Sequence, residues 1–314
     1  MSETGLKRIL LLGASGYLGR NLLQEWSEEP LEVVAVTRDA ARPAWLDRLS
    51  PGAKHLHFPS VDDLSALTSI LGPETGVVNS VAIATLPECE KNPEGARAIN
   101  AVLPERLARY CRDHGAPFLH ISTDGLFSND DLEHAPRYFG LEEPVAPVTV
   151  YGRMKREAEI GIEKVGWGHI FRLCFNGPDL GTGRGLLAFL AKASLADPPV
   201  VTGFTDNWFT SMHVAPLASA ILERLKSGTK ARFSLEHLAT DRAITKFEYL
   251  RLVAERAGIP VNMIERLRKD SLSVSPAPLD QSLRNTYPKT FSTEDLIARS
   301  AVDLRSMLRS ATAG

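Results

Sequence analysis

The sequence predicts a doubly wound parallel α/β fold, and three observations lead to this prediction. Short apolar strands alternate with amphipathic helices as far as Leu173 in a chain of 314 residues. Such alternation builds a parallel sheet with helices on both faces. A glycine-rich turn follows the first strand, and beyond Leu173 the alternation fades into stretches rich in Pro and Gly. We therefore predict a large sheet domain with a smaller, discontinuous C-terminal lobe.

Each element is assigned from its apolar periodicity and its flanking turn residues. The predicted strands are Arg8–Leu12, Glu32–Thr37, Lys54–Phe58, Gly76–Ser80, Phe118–Ser122 and His169–Leu173. The predicted helices are Tyr17–Trp26, Val61–Ile70, Pro93–His114, Val150–Val165, Leu186–Ala196, His213–Leu225, Thr245–Ala257 and Ser292–Leu308. Thr245 and Glu248 have the spacing of a capping box. By these boundaries the sheet domain covers residues 1–175, with 206–235 returning to it, and the lobe covers 176–205 and 236–314.

The first turn has the spacing G-x-x-G-x-x-G between an apolar strand and an amphipathic helix. Glycine lets the backbone approach a pyrophosphate, and the following helix directs free N–H groups at it. We predict a dinucleotide-binding loop of the Rossmann type, although a plain strand-to-helix turn would use glycine too. The predicted cofactor contacts here are Gly13, Ser15, Gly16, Tyr17, Leu18 and Gly19.

The end of the second strand predicts which dinucleotide binds. NAD-specific folds place a carboxylate there, whereas a nearby arginine accommodates the 2′-phosphate of NADP. Arg38 follows Thr37, and Arg42 is close by in sequence, so we predict NADP(H). Asp39 keeps NAD(H) open as the alternative, because a register error of one residue would put its carboxylate in that place.

Tyr151 and Lys155 are four residues apart in a predicted helix, so they share one helix face. A cation beside a phenol lowers the phenol pKa, and such a phenol can transfer a proton in a carbonyl–alcohol conversion. An ordinary surface helix would also show this spacing. Thr123 and Asp124 directly follow the predicted strand Phe118–Ser122. Ligands of open parallel sheets bind at such carboxyl ends of strands. The alternative there is a hydroxyl that only satisfies turn backbone.

Several motifs in order resemble the extended short-chain dehydrogenase/reductases, and within them the dTDP-4-dehydrorhamnose reductase branch. They are Gly13–Gly19, Val78–Ala82, Glu90–Asn100, His120–Asp124, Tyr151–Lys155 and Phe171–Leu173. The resemblance implies that Thr123, Tyr151 and Lys155 form the catalytic set, with Tyr151 as proton donor. It also implies that Lys155 and Asn100 lie at the cofactor, and we add Asp62 and Ala82 to the predicted cofactor contacts.

The same resemblance implies a nucleotide-diphosphate sugar as substrate. The predicted substrate contacts are Asp124, Phe175, Asn176, Arg184, Trp208 and Arg284, the two arginines being candidates for the diphosphate. The branch carries an aromatic residue where this chain has Gly125, and polar residues where it has Ile83 and Ala84. These departures predict a roomier, less polar sugar pocket, and thus a 4-keto-deoxysugar other than dehydrorhamnose.

Composition narrows the function class. The formal net charge is −2 and no cluster of Lys and Arg occurs, which argues against nucleic acid or an anionic membrane as partner. Three cysteines without metal-ligand spacing predict no metal site and fit a reducing cytoplasm. A homodimer is one option for the assembly. Besides an NADP-dependent keto-sugar reductase, the sequence leaves open a non-catalytic NADP-binding regulatory subunit and an epimerase or dehydratase.

Overall fold

The computed structural model describes residues 5–127, 132–227, 232–268 and 279–312. They form two compact units. Unit 1 contains residues 5–123, 150–171, 217–227 and 232–235, and unit 2 contains 124–127, 132–149, 172–216, 236–268 and 279–312. Residues 124–149, 172–175 and 206–216 were expected in the sheet domain, but their described parts belong to unit 2.

A seven-stranded sheet is the centre of unit 1. Its strands are β1 (Arg8–Leu12), β2 (Glu32–Thr37), β3 (Lys54–His57), β4 (Thr75–Asn79), β5 (Phe118–Ile121), β6 (Gly168–Arg172) and β11 (Phe233–His237). Their order is β11-β6-β5-β4-β1-β2-β3, and the five adjacent pairs from β6 to β3 are parallel. The predicted doubly wound fold is confirmed. Strand β11 was not predicted, because its half-buried residues lack the continuous apolar run of β1.

The helices follow the strands. They are α1 (Tyr17–Glu25), α2 (Ala44–Leu49), α3 (Ser65–Thr68), α4 (Leu86–Lys91), α5 (Pro93–Arg97), α6 (Leu103–Asp113), α7 (Val150–Val165), α8 (Leu186–Ser194), α9 (Val214–Lys226), α10 (Lys246–Ala257) and α11 (Thr293–Thr312). A π-helical turn, Ala98–Val102, joins α5 to α6, and a 3₁₀ turn spans Leu132–His134. No helix in the described ranges is long and apolar enough to cross a membrane.

The prediction of a helix over Val61–Ile70 is wrong in its extent, since α3 covers only four residues. The Asp63 carboxylate accepts the backbone N–H of Ser65 at 2.8 Å, which favours a turn over an earlier helical start. The predicted cap of α10 is partly correct. The Thr245 hydroxyl accepts the N–H of Glu248 at 3.1 Å, while the Glu248 carboxylate pairs with Arg242.

The core of unit 1 forms on both faces of the sheet. Ile9, Leu10, Leu11 and Leu12 are fully buried, because helices cover the central strands on each side. One buried cluster joins β1, β4 and β5 to α6, and it includes Leu107 among its members. The carboxyl ends of the central strands are thereby fixed along one edge of the sheet.

Unit 2 combines short strands with three helices. Its strands are β7 (Phe175–Asn176), β8 (Val200–Phe204), β9 (Trp208–Phe209), β10 (Met212–His213), β12 (Ile244–Thr245), β13 (Asn262–Arg266) and β14 (Asp280–Gln281). β8 pairs with β13, β7 with β10, and β9 lies between β12 and β14. Helices α8, α10 and α11 share one apolar core, in which the Phe209 and Tyr249 rings meet edge to face at 5.8 Å.

Candidate active site

The glycine turn between β1 and α1 is packed too tightly for side chains. Gly13 has φ +85°, and a Cβ there would lie 2.8 Å from the Ser80 Oγ. A Cβ at Gly19 would overlap the Gly13 carbonyl and lie 2.7 Å from the Ala14 Cα. Gly16 occupies the N-cap of α1, so no side chain caps the first turn of that helix. This close packing is compatible with a pyrophosphate at the turn, and the cofactor contacts at Gly13, Ser15, Gly16, Tyr17, Leu18 and Gly19 stay predictions.

The two arginines considered for the 2′-phosphate have different surroundings after β2. Arg38 is exposed directly after β2, which is the neighbour of β1 in the sheet. The Arg42 guanidinium instead donates to the Asp47 carboxylate at 2.6 Å and to the backbone carbonyls of Pro51 and Ala53. The contribution expected from Arg42 is therefore not supported, because its donors are engaged within this loop.

Asp62 follows β3, on the far side of β2 from β1. Its side chain is 87% exposed, and its backbone carbonyl accepts a hydrogen bond from Arg106 at 2.7 Å. The Arg106 guanidinium also lies 3.8 Å from the Asp62 carboxylate. This contact fixes the backbone of the segment and leaves the carboxylate at the surface. A cofactor contact at Asp62 stays a prediction.

Asn100 contacts the segment after β4 through the backbone of Ile83. It is fully buried in the π-helical turn, where the extra residue per turn redirects a side chain. Its Oδ1 accepts the N–H of Ile83 and its Nδ2 donates to the carbonyl of Ile83, both at 2.9 Å. Asn100 thus positions the backbone beside Ala82, and these bonds engage both ends of its amide. A direct cofactor contact by Asn100 or Ala82 stays a prediction.

The predicted catalytic residues lie where α7 begins and β5 ends. Tyr151 is half-buried and packs in a small cluster that includes Ile83. Lys155, one turn later, is 1% exposed, and its Nζ donates to the backbone carbonyl of Ile121 at 2.6 Å. Thr123 follows two residues after Ile121 and is 9% exposed. Helix α7 therefore brings the Lys155 amine to the carboxyl end of β5, with Tyr151 one turn earlier on the same helix.

The environment of Lys155 is strongly desolvating. Burial lowers the Lys155 pKa to about 7, although the carboxylate of Glu159 acts in the opposite direction. Its Nζ also lies 2.8 Å from the Nε2 of His120, another fully buried residue. Burial, and to a smaller extent the charge of Lys155, hold the His120 pKa well below its usual range. His120 was not among the predicted site residues, because it lies within an otherwise apolar strand and the sequence does not show its contact with Lys155.

The predicted substrate contacts in unit 2 are dispersed. Asp124 is buried and accepts a hydrogen bond from Gln281 at 3.3 Å, and Asn176 donates to Ser211 at 2.8 Å. Phe175 and Trp208 are half-buried in β7 and β9. These positions leave their assignment as substrate contacts a prediction.

The two arginines predicted to hold the diphosphate are both at the surface. Arg284 forms an ion pair with Glu142, and both side chains are more than half exposed. That hydrogen bond is the main cause of a raised Arg284 pKa. Arg184 is exposed before α8, in a loop that the Asp179 carboxylate stabilises by accepting the N–H groups of Thr182 and Gly183. Neither arginine lines the cavity of unit 2 described next.

This cavity, which we call the α8–α10 pocket, has a volume of about 410 Å³. Four apolar side chains line it, from Leu186, Phe189, Phe204 and Leu250. The other lining residues are Thr202, Gly203, the amide Asn207 and the cations Lys246 and Arg268. The Lys246 Nζ lies 3.4 Å from the centre of the Phe209 ring. Arg268 donates to the Asn207 side chain at 3.2 Å, and burial lowers its pKa.

Two cations on apolar walls can take a ligand with an anionic and a planar part. Lys246 and Arg268 were missed from the sequence because they lie in different elements, 22 positions apart. The Gly203 position supplied a signal: a Cβ there would lie 2.6 Å from the Phe247 Cα, so β8 packs closely on α10. Such a glycine within a strand indicates close backbone approach.

A family model described as the RmlD substrate binding domain matches residues 7–287. The chain belongs to this family. A probable low-salt glycan biosynthesis reductase of Haloferax volcanii is 33% identical over 192 residues, which are 60% of this chain and 62% of that protein. The dTDP-4-dehydrorhamnose reductase of Mycobacterium tuberculosis is 26% identical over 285 residues, covering 88% of this chain and 83% of that enzyme.

A solved structure has the same fold as this member of the RmlD family. The crystal structure of dTDP-4-dehydrorhamnose reductase from Bacillus anthracis in complex with NADP superposes with a TM-score of 0.71. It is 17% identical and covers 97% of this chain and 98% of that one. The family match and the Mycobacterium tuberculosis relative confirm the predicted resemblance to the dTDP-4-dehydrorhamnose reductases, and the solved structure supports the predicted fold.

Proposed function

We propose that this protein is an NADP(H)-dependent reductase of a keto group on a nucleotide-diphosphate sugar, in particular a 4-keto-deoxysugar. The observation that carries the proposal is the position of Tyr151 and Lys155. They lie one turn apart at the start of α7, and Lys155 is anchored to Ile121 at the end of β5. A phenol and a buried amine at the carboxyl end of a parallel sheet suit carbonyl reduction.

The first βα turn supports the dinucleotide. The backbone at Gly13 and Gly19 leaves no room for a Cβ, and no acidic residue stands in the first turn of α1. The pyrophosphate would bind at Gly16, and the 2′-phosphate would be bound by Arg38. When bound, NADPH supplies the hydride that reduces the carbonyl carbon. The complex of the Bacillus anthracis relative with NADP supports the same choice.

The protein's own groups supply binding and the proton. Tyr151 donates its phenolic proton to the oxygen of the reduced carbonyl, while the Thr123 hydroxyl orients that oxygen. Lys155 binds the cofactor ribose, and its ammonium form, present when ligand is bound, returns a proton to Tyr151. Asn100 positions the backbone at Ile83, so that Tyr151 packs against a fixed neighbour. Low dielectric around Lys155 strengthens each of these interactions.

The nucleotide diphosphate is assigned to the α8–α10 pocket of unit 2. Phe204 and Leu250 offer apolar surface to a planar base, and Arg268 and Lys246 offer positive charge to the diphosphate. This assignment replaces Arg284, which pairs with Glu142. The homodimer and the cytoplasmic location expected from the sequence stay predictions.

The sugar end of the substrate is proposed from what the chain lacks. By the resemblance to the dTDP-4-dehydrorhamnose reductases, Ile83, Ala84 and Gly125 stand at positions where polar or aromatic residues are expected. Fewer donors leave substrate hydroxyls without partners, which lowers affinity for a hydroxylated sugar. We expect weak turnover of dTDP-4-dehydrorhamnose and better turnover of a bulkier or more deoxygenated 4-keto sugar.

The test is a comparison of NADPH oxidation rates with a panel of nucleotide-linked 4-keto sugars, followed at the nicotinamide absorbance band. Tyr151→Phe is the control for background oxidation. Turnover that depends on Tyr151 supports the reductase. NADPH binding without turnover of any sugar in the panel would contradict it and favour the regulatory alternative. Efficient turnover of dTDP-4-dehydrorhamnose would contradict only the proposed sugar preference.

A further inference from the structure

A chain of buried hydrogen bonds connects the end of β4 to Lys155. The backbone N–H of Val81 donates to the Asn79 Oδ1 at 3.1 Å, and the Asn79 Nδ2 lies 3.1 Å from the His120 Nδ1. The His120 Nε2 lies 2.8 Å from the Lys155 Nζ, which donates to the Ile121 carbonyl at 2.6 Å. Asn79 and His120 are fully buried.

The direction of every bond in this chain follows from its first donor. A backbone N–H can only donate, so the atom of Asn79 that faces Val81 is the oxygen and the atom that faces His120 is the nitrogen. An amide nitrogen donates, so the His120 Nδ1 must accept. A neutral imidazole that accepts at Nδ1 carries its proton on Nε2. That proton points at the Lys155 nitrogen.

We propose that His120 is a positioning residue: Asn79 holds it as the neutral Nε2–H tautomer, in which it donates to an uncharged Lys155 amine in the ligand-free protein. An ammonium group has three donors and no acceptor, so it cannot receive the Nε2 proton. Lys155 can therefore gain a proton only if the bonds among Asn79, His120 and Lys155 rearrange. These hydrogen bonds among Asn79, His120 and Lys155 lower the proton affinity of Lys155 beyond the effect of burial.

The other charged groups near Lys155 do not remove this effect. Glu159 lies one turn further along α7 and favours the ammonium form. Its carboxylate accepts a hydrogen bond from the Ser122 hydroxyl at 2.6 Å and pairs with Arg156 at 3.2 Å. Burial by itself lowers the pKa of Lys155 to about 7, and the hydrogen bond from His120 acts in the same direction as burial. Tyr151 shares the helix face and is the group through which the state of Lys155 reaches the reaction.

The consequence for catalysis rests on the proposed function, whereas the tautomer of His120 does not. If the ammonium form of Lys155 assists Tyr151, kcat/KM falls as pH rises through the Lys155 pKa. Asn79→Asp replaces the donor to His120 by an acceptor, which favours the Nδ1–H tautomer. The Nε2 lone pair then accepts from a charged Lys155, and the alkaline limb moves upward by about one pH unit.

The experiment measures the tautomer and the pH profile separately. Nitrogen NMR of protein with labelled histidines, with the His120 signals assigned by their absence in His120→Gln, reports which ring nitrogen carries the proton. We expect Nε2–H in the parent and Nδ1–H in Asn79→Asp. An Nδ1–H tautomer or an imidazolium in the parent at pH 7 would overturn the proposal, whether or not the protein reduces any sugar.

The pH profiles of kcat/KM provide the second readout. His120→Gln can present an amide oxygen to Lys155, so its alkaline limb should also move upward. The matched control is His169→Gln in β6, because His169 is buried and bonds to Ser234, not to Lys155. An upward shift of the alkaline limb in His120→Gln but not in His169→Gln supports the proposal. The same pH profile in the parent, His120→Gln and His169→Gln contradicts it. Absence of turnover in the parent would contradict the proposed function, and the NMR result would still decide the tautomer.

Discussion

Lys155 in unit 1 and Lys246 in unit 2 are both at least half-buried, yet their surroundings differ. Lys155 is 1% exposed, with the Ile121 carbonyl and the His120 ring as its hydrogen-bond partners. Lys246 is half-buried and its ammonium group lies over the Phe209 ring. The first arrangement favours loss of a proton by desolvation. The second stabilises the cation by the ring, which keeps a positive charge available for an anion.

The difference separates a group suited to proton transfer from a group suited to binding. Removal of a proton-transfer group should lower kcat, because the interaction forms only in the transition state. Removal of an anion-binding group should raise KM and leave kcat nearly unchanged. The following variants test whether unit 1 and unit 2 divide the work in this way.

The largest effect is expected for Tyr151→Phe in unit 1. Loss of the phenolic proton should lower kcat by about 10²–10⁴-fold, the usual contribution of a general acid. NADPH affinity should be unchanged, since the hydroxyl matters only when a proton moves. Steady-state kinetics and NADPH titration measure both. Turnover at the parent rate would show that another group supplies the proton.

A smaller effect is expected for Arg268→Ala in unit 2. Charged hydrogen bonds contribute about 1.5–3 kcal/mol, so KM for a nucleotide sugar should rise roughly 10–100-fold at similar kcat. Lys246→Gln should act in the same direction. Arg284→Ala is the matched control, because its ion pair with Glu142 is exposed and Arg284 does not line the α8–α10 pocket. A rise in KM only for Arg284→Ala would restore the sequence-based assignment.

The smallest effect is expected for Arg38→Ala. Loss of one exposed cation at the 2′-phosphate should weaken NADPH binding by about tenfold and leave NADH binding unchanged. Dissociation constants for both nucleotides, measured by fluorescence, check this selectivity. Parent affinity ratios in the variant would mean that Arg38 does not contact the 2′-phosphate and that the cofactor preference has another source.

The sequence predicted unit 1 better than unit 2 for a physical reason. β1, β2 and α7 have the predicted bounds, because long apolar runs and helical periodicity report burial directly. The short strands of unit 2 pair over two to five residues and carry no such period. Their pairing depends on tertiary contacts that a single sequence does not contain.

The candidate site follows the same division. Tyr151 and Lys155 were predictable because helix geometry fixes residues four apart on one face. Arg268 and Lys246 line the same pocket because β13 pairs with β8 beside α10. No local sequence pattern predicts that pairing. His120 was missed because one polar residue in an apolar strand does not reveal its partner, which here comes from a helix 35 positions later.

The π-helical turn at Asn100 has a consequence for how substrate preference can change within this family. The Asn100 amide binds the main chain of Ile83 at both ends and makes no demand on the side chain there. Mutations at positions 83 and 84 can therefore alter the chemistry of the surface that they present while the path of the backbone is preserved. The support of this segment and the chemistry of its surface are thereby set by different atoms, the first by the main chain of Ile83 and the second by its side chain.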